Sequence, residues 1–290
     1  MKIKESVGSK VFDAVNIVFL ALLMFVTIFP VWHVLMCSFS DSYELLGHSG
    51  ALWLPLKFNL RGYAAVFTNA SVWNGLGITV FVVVLGTFLN IVFTVITAYF
   101  LTKSEAMLSS VLAYVLVFSM YFSTGLIPGY LVVKHVGLYN NILALIIPTL
   151  INTFNVIIMR TAVAGVPASL FESTELDGAS HFTIVSKLVV PLCLPTVAVL
   201  VLYYSVGHWN SWFNAMIYLR DRNKFPLQLL LREVAVANST LEMGDSDSTV
   251  SAKETLKYAL IVVSSLPVML VYPFLQKYFV KGVMVGAVKG

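Results

Sequence analysis

Long stretches without a charged residue set the first structural expectation for this chain. These runs cover residues 14–40, 62–102, 106–133, 135–159, 188–219 and 258–276. A helix needs about 20 apolar residues to cross the hydrocarbon core of a membrane. The runs are continuously apolar and do not alternate as barrel strands do. The pattern therefore predicts six membrane-spanning helices. The second is expected from Gly77 to Thr102, because turn-forming residues precede it between Asn69 and Gly75.

Composition supports an all-α integral membrane protein. Hydrophobic residues make up 59% of the chain and charged residues 11%, against about 45–50% and 25% in soluble domains. The lysines before the first apolar stretch resemble the start of a secretory signal. That stretch, Ala14 to Met36, is longer than the apolar region of a signal and no small-residue cleavage site follows it. It is therefore expected to remain as the first helix.

Several classes of protein are disfavoured by what the sequence contains. The net charge of +4 is too small for a nucleic-acid binder. Cys37 and Cys193 lie far apart and without clustered histidines, which argues against a disulfide scaffold or a zinc site. The chain has neither a G-x-x-x-x-G-K-[ST] phosphate loop nor an H-E-x-x-H motif. It is therefore predicted not to bind ATP through such a loop itself and not to be an intramembrane enzyme. Its basic residues divide evenly between the two sides of the membrane and do not fix the topology.

A polar segment between Arg160 and Pro191 interrupts the apolar pattern. Residues Phe171–Leu176 suit a short helix with acidic residues near its N-terminus, and Gly178 follows where a residue tolerant of positive φ is needed. Ser180 can cap a second short helix. The pattern predicts a helix–turn–helix at the membrane surface, although an ordinary interfacial loop is the alternative. Five apolar residues are candidate anchors for a partner: Leu170, Phe171, Leu176, Phe182 and Val185.

The same segment resembles the EAA loop of ATP-binding-cassette (ABC) importer permeases. The matching residues are Glu172-Ser173-Thr174, Asp177-Gly178-Ala179, Pro191 and Pro195. Ser-Thr stands where the family has Ala-Ala, and His181 stands where an acid is common. Residues 34–41, 203–219 and 272–290 extend the resemblance to carbohydrate permeases. The chain is most similar in pattern to the second permease subunit of the maltose importer, in the subgroup for polymer-derived oligosaccharides such as alginate or pectin fragments.

The resemblance implies a type I ABC importer transmembrane domain with six helices. It implies a single permease subunit over 1–290, a core transmembrane domain over 72–277 and a cytoplasmic coupling loop over 166–190. The residues expected to couple the permease to its ATPase are Phe171, Glu172, Ser173, Thr174, Leu176, Asp177, Gly178 and Ala179. Glu172 is expected to anchor the coupling helix, and Gly178 to permit the turn.

The resemblance also implies partners and a location. The chain is expected to form half of an oligosaccharide path with a second, homologous permease subunit in the lipid of a bacterial cytoplasmic (inner) membrane. Two copies of an ATPase subunit bind ATP and Mg²⁺, so this chain needs no cofactor, and an extracytoplasmic solute-binding protein delivers the sugar. Both termini and the 160–190 segment are expected to be cytoplasmic.

Residues of the fifth span suggest a substrate path. Tyr203, Gly207, Asn210 and Asn214 form one helical stripe, and Tyr204, His208 and Ser211 form the next, bordered by Trp209 and Trp212. Amides and aromatic rings suit sugars, which offer hydroxyls and C–H faces. The alternative is that Gly207 and the amides only mediate helix packing. His208 is expected to be a packing residue and not a proton carrier.

Charged residues beyond the fifth span bear on the substrate. Arg220, Arg222, Lys224 and Arg232 would create a positive field that favours uronate oligosaccharides, although they also suit a docking surface for the solute-binding protein. An alternative function is a secondary, ion-coupled transporter. That class would show ionisable residues within the spans and an internal repeat, and the sequence shows neither clearly.

Overall fold

The computed structural model describes residues 7–103, 107–122, 124–241, 256–270 and 273. Every regular element in these ranges is a helix, as composition and pattern predict. The α-helices are α1 Val7–Ser38, α2 Ser42–Gly47, α3 Arg61–Thr68, α4 Ala70–Thr102, α5 Met107–Tyr121, α6 Leu126–His135, α7 Thr153–Ala164, α8 Ala168–Leu176, α9 His181–Ile184, α10 Val190–Leu192, α11 Leu194–Trp209, α12 Trp212–Tyr218, α13 Leu227–Leu241 and α14 Leu256–Leu270. Short 3₁₀ turns lie at Ile142–Leu145, Ile147–Thr149 and Arg222–Lys224, and a π-helical turn lies at Val185–Val189.

The chain forms two compact units. The first comprises residues 1–69 and 233–265, and the second comprises residues 70–232 and 266–290. In the first unit, the apolar side chains of α1 are almost all exposed, as lipid contact requires. Just after α1, Asp41 caps α2 by accepting a hydrogen bond from the Tyr43 amide, and it accepts another from Asn59 Nδ2 at 2.9 Å. These two bonds, that from Asn59 first, lower the pKa of the Asp41 carboxyl.

The second unit is built around α4, which packs against α7 and α11. Its core includes Val95 and Ala98 of α4, Met159 of α7 and Leu200 of α11. The first turns of α4 carry a second contact, in which the Thr79 hydroxyl accepts a hydrogen bond from the Leu227 amide. The small residue Gly75 lies close to the same segment, since a Cβ there would sit 2.7 Å from Leu230.

The spans differ from their sequence-based prediction at several points. Helix α4 begins at Ala70 and not at Gly77, because the residues read as a turn signal are already helical. Two helices, α1 from Gly8 and α4, are each long and apolar enough to cross a membrane. Counting two strongly bent helix pairs as one span each raises this to four among the described residues. The apolar helices α5 and α14 are shorter. The predicted sixth span, 258–276, lies partly outside the described residues.

Breaks within the third and fourth predicted spans have local causes. The run 106–133 is divided between α5 and α6 around Gly125, which has a φ of +80°. The run 135–159 contains the first two 3₁₀ turns, Ile142–Leu145 and Ile147–Thr149, and the start of α7. The segment Ile142–Thr149 and helix α7 meet at an angle of 50°. Pro148 lies in the second 3₁₀ turn, where its missing N–H prevents a regular helix.

The fifth predicted span, 188–219, is not one helix. The segment His181–Leu192 and helix α11 meet at an angle of 89° around Cys193. Pro195 lacks the N–H that would bond to the Pro191 carbonyl four residues earlier, and its ring would clash with that carbonyl. Before the bend, the Val190 amide reaches back five residues to Val185 in the π-helical turn. The span breaks again at Asn210 and Ser211, before α12.

A buried asparagine on α4 joins this helix to the 3₁₀ segment of the fourth span and to α11. Asn90 of α4 is fully buried, and its Nδ2 donates to the carbonyls of Thr149 and Leu150 at 2.6 and 2.9 Å. Its Oδ1 lies 2.6 Å from Nε2 of His208 on α11. Because an amide oxygen can only accept, His208 must carry its proton on Nε2. Asn90 thus satisfies carbonyls that the broken fourth span leaves without helical partners.

Gly86 makes this arrangement possible. A Cβ at position 86 would lie 2.6 to 2.9 Å from three atoms of the His208 ring. Two further hydrogen bonds join the same helices, Thr87 to Ser205 at 3.2 Å and Thr94 to Tyr204 at 2.7 Å. Close helix approach at a glycine, flanked by polar contacts, is a common way to pack helices in membranes.

Replacing Gly86 with alanine is expected to destabilise the protein. The added methyl group must displace the His208 ring and weaken its bond to Asn90, at a cost of about 1–3 kcal/mol. Gly77→Ala is a matched control, because a Cβ at that position in the same helix meets nothing within 4 Å. Thermal unfolding of the purified complex in detergent should show a Tm lower by several degrees for Gly86→Ala alone. Equal Tm values for both variants would contradict this account of the α4–α11 contact.

Candidate coupling surface and transport cavity

The segment that follows α7 folds as the predicted helix–turn–helix. Helix α8 ends in a Schellman motif, in which the Ala179 amide bonds to the Thr174 carbonyl and the Gly178 amide to the Glu175 carbonyl. Gly178 has a φ of +77°, as predicted. Ser180 then caps α9 by accepting a hydrogen bond from the Thr183 amide at 3.3 Å. A Cβ at Gly178 would meet nothing within 4 Å, so the turn requires glycine for its backbone conformation and not for space.

The start of α8 differs from the prediction. The helix begins at Ala168, directly after Pro167, and therefore its first turn contains no acidic residue. Glu172 and Glu175 lie in its middle and last turns. Within the described residues, the Glu172 carboxylate has no hydrogen-bond or ion-pair partner and is exposed. The contact that holds the helix uses Glu175 instead.

Lys103, the first residue after α4, binds α8. Its Nζ donates a hydrogen bond to Oε1 of Glu175 and lies 5.6 Å from the ring centroids of both Tyr99 and Phe171. Tyr99 in turn makes a 3.0 Å hydrogen bond between its Oη and Nδ1 of His181. These five residues, Tyr99, Lys103, Phe171, Glu175 and His181, are called the Lys103 cluster below. They join α4 to both short helices of the loop.

Pairing keeps both charges of the cluster in place at neutral pH. The hydrogen bond from Lys103 lowers the pKa of Glu175, and the same bond raises the pKa of Lys103. The pair's contribution to stability is therefore lost only as the pH falls through the lowered pKa of Glu175 or rises through the raised pKa of Lys103. About 33% of the lysine side chain and 42% of the glutamate side chain are exposed, so solvent weakens the attraction.

The apolar residues of the loop divide between two surfaces. Phe171 and Val185 pack against the core of the second unit, so they are not free to anchor a partner. Leu176 and Phe182 are 88% and 79% exposed, and Leu170 is partly exposed. Among the other residues assigned to coupling, Ser173 and Asp177 are exposed while Thr174 and Ala179 are partly buried. The loop thus presents large apolar side chains outward on a turn fixed by its own backbone.

A cavity of about 520 Å³ lies beside α11. It brings together six of the residues predicted to form the substrate path: Tyr203, Tyr204, Gly207, His208, Ser211 and Asn214. The remaining lining residues are Leu145, Thr149, Asn152, Phe154 and Asn155. None of these lining residues is Lys, Arg, Asp or Glu. The cavity therefore offers hydroxyls, amides, an imidazole and aromatic rings, which suit neutral hydrogen-bonding groups.

Of the residues predicted for the path or its border, Trp209, Asn210 and Trp212 do not line the cavity. Trp209 is buried in the helix packing. Asn210 follows the last residue of α11 and donates from Nδ2 to the Val206 carbonyl. The predicted stripe fails here because it assumes a continuous helix. His208 lines the cavity but is held by Asn90, which agrees with the expected packing role.

Sequence reasoning missed residues outside α11 and the loop. Thr149, Asn152 and Asn155 reach the cavity because the broken fourth span turns there, and no spacing rule within one helix could place them. The sequence of α4 does contain a pattern that predicts which of its faces packs against other helices. Gly75, Thr79, Gly86, Asn90 and Thr94 recur on one face of an otherwise apolar helix, a pattern typical of a packed membrane helix.

The positive residues beyond the fifth span are partly engaged. Lys224 donates from Nζ to the Asn140 carbonyl at 2.7 Å. The Arg232 guanidinium lies 4.4 Å from the Trp212 ring centroid and donates to the Met216 sulfur. Arg220 is exposed. Within the described residues, no group of three or more His, Cys, Asp and Glu side chains could hold a metal ion.

Comparison with known proteins identifies the family. No protein-family model matches the chain. The polygalacturonan/rhamnogalacturonan transport system permease protein YtcP of Bacillus subtilis (strain 168) is 38% identical over 286 residues, covering 97% of this chain and 99% of the relative. Protein LplC of the same organism is 39% identical over 285 residues, covering 98% and 96%.

A solved structure gives the same result. The chain is similar to one from a bacterial ABC transporter involved in the import of the acidic polysaccharide alginate, with a TM-score of 0.86 and 29% identity. The similarity covers 96% of this chain and 100% of that chain. Together with the apolar helices, these similarities show that the chain is a membrane protein and belongs to the permeases of ATP-binding-cassette carbohydrate importers.

Proposed function

We propose that this permease forms half of an oligosaccharide path in the bacterial cytoplasmic membrane and is driven through the 166–190 loop. A second homologous permease completes the path, two ATPase subunits supply ATP hydrolysis with Mg²⁺, and an extracytoplasmic protein delivers the sugar. The observation that carries the coupling role is the loop itself. It is built as a capped helix–turn–helix, yet exposes Leu176 and Phe182. Exposed large apolar residues on an ordered turn are typical of a partner surface.

Six apolar segments support a six-span topology. These are the two long helices, the two bent pairs and the shorter helices α5 and α14. An even number of spans places both termini on one side of the membrane. Helix α8 of the coupling loop lies between the fourth and fifth segments, so it is on the same side of the membrane as the termini. Because the ATPase that it contacts in this proposal is cytoplasmic, that side is the cytoplasmic one.

The cavity beside α11 is proposed as this chain's share of the path. Gly207 faces open space there, and Asn214, Asn155 and Tyr203 supply groups that can bond to sugar hydroxyls or stack on sugar rings. Packing alone does not explain an amide-lined space of this volume.

We further propose that the substrate is an acidic, uronate-containing oligosaccharide. The support is the names of two similar proteins, one a polygalacturonan/rhamnogalacturonan permease and one part of an importer of the acidic polysaccharide alginate. The lining of the cavity carries no lysine or arginine to pair with a carboxylate. Selection for acidic groups is therefore assigned to the solute-binding protein or to the partner permease.

The conformation of Gly178 provides a test of the coupling role. Valine at this φ costs about 1–2 kcal/mol, which disfavours the native turn by about 5- to 30-fold relative to other conformations. Gly178→Val should therefore disturb the turn and lower sugar-stimulated ATP hydrolysis. Asparagine tolerates the left-handed conformation, so Gly178→Asn should keep most of the activity. The measurement is ATP hydrolysis by the reconstituted complex with its loaded binding protein. Normal stimulation in Gly178→Val would show that this turn does not transmit the signal.

A cysteine at the exposed Ser173 tests contact and topology together. The native Cys37 and Cys193 are buried and should react slowly. Ser173→Cys should crosslink to the ATPase subunit and resist membrane-impermeant reagents added outside intact cells. Labelling from outside would place the loop on the wrong side of the membrane.

Side-chain volume at Gly207 tests the proposed path. Leucine at this position should narrow the cavity and reduce transport by about tenfold or more, while alanine should have a small effect, since specific sites lose about 100-fold when geometry shifts by 1 Å. Gly77→Leu is the control, because Gly77 also faces open space but does not line this cavity. Transport into proteoliposomes and the Tm of each variant are the measurements. Undiminished transport by Gly207→Leu would remove this cavity from the path.

A panel of sugars tests the substrate class. Reconstituted complex with its cognate binding protein should respond to uronate oligosaccharides with increased ATP hydrolysis, and less to neutral oligosaccharides of equal length. A response to neutral sugars alone would overturn the acidic substrate and leave the permease assignment unaffected.

A further inference from the structure

The coupling helix has few attachments to the rest of its own unit. No residue of α8 is fully buried. Phe171 packs against the core, and Glu175 reaches Lys103. A helix that must transmit a displacement needs a stiff connection, because a loosely attached helix would move without carrying its neighbours.

The Lys103 cluster supplies such a connection at one point. The lysine ammonium lies beside the Tyr99 and Phe171 rings, 5.6 Å from each centroid, and the two centroids are 6.3 Å apart. Its hydrogen bond to Glu175 fixes the last turn of α8. Tyr99 also bonds to His181 at the start of α9. The cluster therefore attaches both α8 and α9 to the C-terminal end of α4.

Helix α4 leads from this cluster to the transport cavity. Asn90 on α4 is hydrogen-bonded to His208, and His208 lines the cavity. Lys103 and His208 are thus connected through one continuous helix and one buried hydrogen bond. A rigid helix with specific contacts at two points, here Asn90 in its interior and Lys103 just after its end, can pass a displacement from one to the other.

We propose that Lys103 is a positioning residue that ties the coupling helix to α4, so that movement of α8 is delivered to the transport cavity. This inference rests on the proposed coupling function. Lys103 contacts neither sugar nor ATP in this role. It acts by keeping α8, α9 and α4 in a fixed arrangement, and the exposed Leu176 and Phe182 remain available to the ATPase.

The role is separable from folding because the cluster is partly exposed. Exposed ion pairs and cation–π contacts contribute little to overall stability. Lys103→Met keeps much of the side-chain length and removes the charge, whereas Lys103→Arg keeps the charge and can stack on both rings. Glu175→Gln removes the other charge, and Lys187→Met, at an exposed lysine, controls for the loss of a lysine outside the cluster.

The experiment measures sugars imported per ATP hydrolysed by the complete complex in proteoliposomes. Lys103→Met and Glu175→Gln should each lower this ratio by about two- to thirtyfold, the usual range for residues that modulate coupling. The double variant should be no worse than either single one, because both act through one contact. Lys103→Arg and Lys187→Met should stay within about twofold of the unsubstituted complex.

Two further readouts separate the possible failures. Tm values close to that of the unsubstituted complex should accompany the lowered ratio, whereas a purely structural role would lower Tm and ATP hydrolysis together. The Ser173→Cys crosslink to the ATPase should persist in Lys103→Met. An unchanged ratio in Lys103→Met and Glu175→Gln with the crosslink intact would overturn the positioning role. Absence of the crosslink even with Lys103 present would instead contradict the proposed docking of the loop.

Discussion

The second unit depends on one requirement, that carbonyl groups inside a membrane protein must have hydrogen-bond partners where a helix is broken. Water is absent from the hydrocarbon core, and unpaired carbonyls there are costly. Asn90 meets the requirement for the fourth span by donating to the carbonyls of Thr149 and Leu150. Its remaining oxygen accepts from His208, so the same side chain also fixes α11. Gly86 provides the room for that ring.

The broken fourth span has a functional consequence. Because the chain turns at the 3₁₀ segment, Thr149, Asn152 and Asn155 come to face α11 and add polar groups to the cavity. A straight helix would spread residues 149, 152 and 155 along its length and leave its own carbonyls paired. The hydrogen bonds from Asn90 to the Thr149 and Leu150 carbonyls stabilise the break, and the break in turn creates the polar cavity. In the proposed function, that space receives the sugar.

The 166–190 loop follows a different principle, since its helix α8 lies outside the apolar segments. Its shape comes from local chemistry, with Pro167 before α8, Gly178 in a left-handed conformation and Ser180 as a cap. Its placement comes from side chains that reach back to α4, chiefly Phe171 and Glu175. The acid of the recognised motif, Glu172, has no partner among the described residues of this chain. Of the two carboxylates of α8, Glu175 therefore attaches the helix to its own chain and Glu172 is exposed.

The sequence by itself determined the membrane class, the helical fold, the family and the turn at Gly178. The membrane class and the helical fold follow from composition and from the runs of apolar residues. The family follows from the resemblance of the 172–195 motif to known permeases, and the turn follows from the backbone conformation that Gly178 allows. The tertiary structure decided where the spans break, because Pro148, Pro191 and Pro195 permit a bend but its angle depends on what packs against it. It also decided that Asn210 does not line the cavity and that Asn152 and Asn155 do. The pairing of Lys103 with Glu175 spans 72 positions, and no local pattern can specify which distant charge a lysine will meet.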